Sequence, residues 1–90
     1  MRSIITSAEF DDQVAKLGGA RAIDEALSPF MESLSLNPYG FHLFEADGFS
    51  FRWFTTKETH WGTPPLYVVF TIESQEPYNV VLVTIEELIL

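Results

Sequence analysis

The strongest constraint on this chain is a change of hydrophobic period at Asn37-Pro38. Before that point apolar residues recur at helical spacing, and after it they alternate as strand residues do. Phe10, Val14 and Leu17 fall at i, i+4 and i+7 behind Ser7. Ser7 is suited to cap a helix whose first turn, with Glu9, Asp11 and Asp12, opposes the positive end of the helix dipole. Gly18-Gly19 stops that helix, and a β-branched run over residues 2 to 6 precedes it. A second stripe of Ile23, Leu27, Phe30, Met31 and Leu34 crosses Pro29 without losing phase. Proline deletes the bond to the carbonyl of Glu25, so the segment is either one bent helix from Ala20 to Leu36 or two short ones, the second capped by Ser28. The unbroken phase favours the single helix.

Beyond Tyr39, Phe41 to Ala46 and Phe49 to Thr55 flank Asp47-Gly48, a pair that accepts the positive φ of a tight hairpin turn. A polar loop with Lys57, His60, Gly62 and Pro64-Pro65 follows. Leu66 to Ile72 is apolar on both sides, as a central strand is, and a turn over Glu73 to Tyr78 leads to Val80 to Ile85. The expected fold class is α+β, with two N-terminal helices packed on one face of a mainly antiparallel sheet in the order β-α-α-β-β-β-β. The 90 residues support one hydrophobic core, hence a single domain over 1–90. From the alternation in the strands, Ser50, Arg52, Phe54, Tyr67 and Thr71 are expected to look away from the helices and form the functional surface.

Thirteen acidic residues against five basic ones give a net charge of −8, the wrong sign for sequence-independent binding to a phosphate backbone. No cysteine is present, which excludes disulfides, thiol nucleophiles and zinc thiolates. Neither a signal peptide nor a membrane-spanning stretch is expected, so the cytoplasm is the default compartment.

The order of these segments resembles the RelE/ParE superfamily of toxins from bacterial type II toxin-antitoxin operons. The features that carry the likeness are Phe10 in the first helix, Leu34-Ser35-Leu36-Asn37-Pro38 at the end of the second, Phe51-Arg52-Trp53 in a strand, and the strands Leu66 to Ile72 and Val80 to Ile85. They span nearly the whole chain, and their order and spacing are more specific than any one of them. The resemblance implies a RelE-like toxin that inhibits translation by ribosome-dependent cleavage of mRNA, or poisons gyrase, and that is neutralised by a cognate antitoxin lying as a helix and an extended segment across its surface.

Such an mRNA interferase must hold an anionic backbone and stabilise charge on the scissile phosphate while a base activates the 2′-hydroxyl. Arg52 stands at the family's strand arginine and would be the phosphate clamp, with Lys57 assisting from the next loop. The competing reading of Arg52 is a strand arginine paired with a carboxylate. The family commonly ends in a basic or histidine-bearing run, whereas this chain ends Ile85-Glu86-Glu87-Leu88-Ile89-Leu90, whose carboxylates oppose RNA. His42 and His60 are the remaining side chains that titrate near neutrality and are the candidate acids or bases. His60 adjoins Trp61, a possible stacking partner for a base. His42, Glu45 and Asp47 do not amount to a metal site, since Asp47 belongs to its turn, and the serines lack a nucleophile-elbow setting. No cofactor is implied. The alternative is a catalytically degenerate relative that keeps the fold and works as a protein-protein binding module, through partners or as a homodimer.

Overall fold

A computed structural model of the chain describes residues 2–60 and 62–89. Its elements are β1 (Ile4–Thr6), α1 (Ala8–Lys16), α2 (Ala20–Leu36), a 3-10 turn (Pro38–Gly40), β2 (His42–Ala46), β3 (Phe49–Thr55), β4 (Leu66–Ile72) and β5 (Val80–Glu87). The strands form one sheet in the order β1-β5-β4-β3-β2. All neighbours are antiparallel except β1 and β5, which run parallel. This is the α+β layout that the change of period implies, with β4 in the centre.

Local chemistry sets the element ends. The Ser7 hydroxyl accepts from the Phe10 amide at 3.1 Å, capping α1. Gly18 and Gly19 take φ of 113° and 93°, a region that other residues rarely enter, so α1 ends there and α2 starts on a new axis. α2 is continuous through Pro29, resolving the choice between one helix and two. Asp47 and Gly48 have φ of 54° and 82°, the paired positive values of a two-residue hairpin turn.

The core lies between the helices and one side of the sheet. Phe10, Ile23, Leu27 and Leu34 pack against Phe54, Leu66, Val68, Phe70, Val80, Leu82 and Ile85. A register shift between Val69 and Phe70 in the β4-β5 ladder keeps Val68 opposite Ile85 and Phe70 opposite Leu82, all facing inward. β1 pairs with β5 only as far as Thr6 opposite Leu82. Beyond that point α1 takes over the exposed edge of β5. The Ser7 hydroxyl donates to the Val83 carbonyl at 2.8 Å, and the Ile85 amide donates to Gln13 Oε1 at 2.8 Å. Backbone groups that would otherwise be stranded under a helix are thereby satisfied.

The register corrects the expected orientation of β3. Arg52 pairs with Phe70 and Phe54 with Val68, whereas Tyr67 pairs with Thr55. Directly opposed residues share a face, so Ser50, Arg52 and Phe54 belong to the helix side, opposite to Tyr67 and Thr71. Phe54 is 4% exposed, and its ring lies 4.5 Å from that of Phe30 on α2. Phe51 and Trp53, which alternate with them, turn outward. Both sides of β3 carry aromatics, and the side that α2 covers decides which set is core.

Candidate functional site

The four side chains singled out by the sequence do not meet at one place. Arg52 leans over the chain segment that joins α2 to β2. Its NH1 group donates to the carbonyls of Tyr39 at 2.9 Å and Phe41 at 2.8 Å, and its guanidinium carbon lies 5.5 Å from the centre of the Tyr39 ring. Both acceptors are backbone oxygens. The side chain thus acts as a brace that fixes the 3-10 turn against β3, satisfying one carbonyl within that turn and one at its C-cap. Arg2 approaches the same ring from the other end of the sheet, also at 5.5 Å, so two of the five cations flank Tyr39. Arg52 lines a shallow concavity of about 390 Å³ with Tyr39, Ser50, Thr71, Glu73 and Tyr78.

Lys57 and His60 lie elsewhere, in the loop between β3 and β4. Hydrogen bonds at each end fix that loop. The Thr56 amide donates to the Leu66 carbonyl at 2.9 Å, and the Leu66 amide returns to the buried Thr56 hydroxyl at 3.0 Å. Farther out, the Thr63 amide donates to the Thr59 hydroxyl at 3.0 Å and the Gly62 amide to the Thr59 carbonyl at 3.1 Å. Lys57 and His60 consequently share a cleft of about 590 Å³ with Glu25, Pro29 and Phe30 of α2 and with Glu58. The cleft brings together a cation, an imidazole and two carboxylates beside an apolar wall. The stacking expected next to His60 falls on Trp61, outside the described residues.

His42 begins β2 on the outward face. It opposes Trp53, and the two rings stack at 4.4 Å with 20° between their planes. Its neighbour Leu43 opposes Arg52 on the inward side, so the sheet separates His42 from Arg52. Among the described residues no group of three or more His, Asp or Glu is gathered as a metal site would need. No helix among them is long and apolar enough to cross a membrane.

Residue patterns place Tyr67 and Thr71 on the outward face, and the register adds the aromatics of β2 and β3 beside them. Phe44 stacks on Phe51 at 5.4 Å, and Trp53 lies 5.6 Å from Tyr67, so rings run from β2 across β3 to β4. Val69, opposite Trp53, is 9% exposed yet is not part of the cluster that packs on the helices. It is buried, and Phe51, Trp53 and Tyr67 on the same face are partly so. The signal was present in the sequence as Phe51 and Trp53 at alternate positions. Alternation alone does not say which set faces the helices, because both sides of β3 carry aromatics and no register is known.

No protein-family model, no curated protein and no solved structure matches this chain. Nothing in these comparisons identifies the resemblance to RelE/ParE toxins that the order and spacing of the residues imply.

Proposed function

We propose that this chain is a protein-protein binding module of RelE/ParE-like architecture that works without cleaving RNA. The observation that carries the reading is the separation of the candidate catalytic groups. In-line attack by a 2′-hydroxyl needs a base and a phosphate clamp within a few ångströms of one another, about hydrogen-bond reach of the reacting atoms. Here Arg52 braces a backbone turn on the helix side, His42 stacks on Trp53 on the opposite side, and Lys57 and His60 occupy a third location. Glu86 and Glu87, at the end of β5, add negative charge where active relatives would carry basic or histidine side chains. An acidic domain with an apolar sheet face binds polypeptide more readily than nucleic acid.

The second reading is the RelE-like toxin, an inhibitor of translation neutralised by a cognate antitoxin. It is favoured by the convergence of Arg2 and Arg52 on Tyr39 and by the pairing of Lys57 with His60 in one cleft. One experiment separates the two. The chain is induced in a bacterial host alongside Arg52→Lys and His60→Ala variants, with growth and the integrity of cellular mRNA followed in parallel. The binding module leaves growth and transcripts unchanged in all three. Growth arrest with transcript cleavage that either substitution relieves would establish the toxin reading.

A further inference from the structure

The geometry points to the outward face of the sheet as the seat of a single amphipathic helix, basic along its flanks, contributed by another protein. The inference rests on the binding-module reading and identifies the partner's chemistry. An antiparallel sheet with one side packed normally turns polar residues to water on the other. Here the outward positions of the three central strands include Phe51, Trp53, Tyr67, Val69 and Val81, and Phe44 extends them onto β2. Phe51, Trp53, Tyr67 and Val81 are only partly buried, although they carry the side chains that gain most from leaving water.

The dimensions select a helix. The aromatic band crosses β2, β3 and β4, with ring separations of 5.4 Å for Phe44-Phe51 and 5.6 Å for Trp53-Tyr67. Three strands at roughly 4.8 Å spacing make a band about 10 Å across, the width of one helix with its side chains. The inward side is already covered by helices, so one more on the outside completes a three-layer arrangement that buries both faces of β4. A partner strand would instead extend the free edge of β2, leaving the aromatic band uncovered.

Charge selects the partner. Glu86 stands opposite Tyr67 at one margin of the band, and the register places no lysine or arginine among its outward positions. The chain as a whole carries −8. A second copy would bring an equal negative charge to the same surface, whereas lysines or arginines flanking an apolar stripe are attracted to it.

The test uses three synthetic peptides: an amphipathic Leu/Lys helix, the same composition with the stripe scrambled, and an amphipathic Leu/Glu helix. Each is titrated into the full chain while backbone amide signals are followed by NMR. The Leu/Lys helix is expected to bind, to shift the amides of Phe51, Trp53, Tyr67 and Val69, and to weaken with added salt. Replacing Phe51→Thr together with Trp53→Thr is expected to weaken it about tenfold or more, since aromatic anchors dominate such contacts. Should the double variant lose its fold, Tyr67→Thr and the map on the unmodified chain decide. Equal binding of the scrambled or Leu/Glu peptide, or shifts confined to α1, α2 or the 56–65 loop, overturns the inference while leaving a protein-binding role standing. A dimer in sedimentation velocity that the double substitution dissolves also overturns it, because the occupant is then a second copy. Failure of the binding-module reading is read separately, from transcript cleavage on induction.

Discussion

Arg52 illustrates how one side chain can satisfy a sequence pattern and still do something else. A lone arginine in an aromatic strand suggests anion binding because its fork matches a phosphate or carboxylate. That fork is partly occupied here, since NH1 donates to the Tyr39 and Phe41 carbonyls and so ties residues 13 and 11 positions earlier in the chain to β3. Hydrogen bonds from a charged donor contribute about 1.5 to 3 kcal/mol each when shielded, and less where water competes. One of these two is exposed and the other partly buried, so Arg52→Ala is expected to cost about 1 to 2 kcal/mol, read as a lower urea midpoint with an unchanged slope. Arg52→Lys keeps the charge but loses the planar guanidinium that lies over the Tyr39 ring while it makes both bonds, and is expected to recover no more than about half of that loss. A variant that costs nothing would show that the turn holds itself and that Arg52 is available for a ligand. The sequence disclosed the arginine but not its partners, because two backbone oxygens brought together by a 3-10 turn leave no mark in residue identity.

At the scale of elements, the sequence was legible wherever a local rule acts alone. Ser7 caps α1, Gly18-Gly19 separates the helices, Asp47-Gly48 turns the hairpin, and the phase of the α2 stripe carries it through Pro29. The orientation of β3 was not legible. Phe49, Phe51 and Trp53 on one side and Arg52 and Phe54 on the other make either choice of core plausible, and a shift of one residue exchanges the faces completely. Tertiary packing decides. Phe54 stacks on Phe30 and lies near Phe41 and Phe70, with centroid distances of 4.5, 5.2 and 6.1 Å. Phe54→Ala is therefore expected to cost about 3 to 5 kcal/mol, the range for removing a buried phenylalanine. Trp53→Thr removes a half-buried ring from a solvent-facing strand position that threonine suits well, and about 1 kcal/mol is expected. Thermal or urea unfolding of the two variants checks the difference, and the opposite ranking would mean that the strand is turned the other way. The same ambiguity conceals the β3 part of the outward aromatic band, since alternation alone does not say which side of that strand the helices cover.

For the molecule as a whole, the decisive contacts join the two ends of the chain. β1 pairs in parallel with β5, and α1 follows it onto the same edge. The hydrogen bonds Ser7-Val83 and Ile85-Gln13 span 76 and 72 residues, so they close large loops, whereas the β2-β3 hairpin closes a two-residue turn. Loop closure must be achieved before such contacts stabilise anything, which makes them late events in folding. Gln13→Ala leaves the Ile85 amide without its acceptor in a part-buried setting, a loss of about 1 to 2 kcal/mol. If the closure forms after the transition state, that loss falls on the unfolding rate. Stopped-flow unfolding is then expected to accelerate about five- to thirtyfold, while refolding stays within about twofold of the parent chain. Slower refolding with unchanged unfolding would mean that α1 docks on β5 early and that the hairpins assemble on a preformed β1-α1-β5 unit. The kinetics also bear on function, because a closure made late leaves β2, β3 and β4, the strands that carry the outward aromatics, already paired. In that order of events the face proposed to bind a partner helix is complete as soon as the central sheet is, before the two ends of the chain have met.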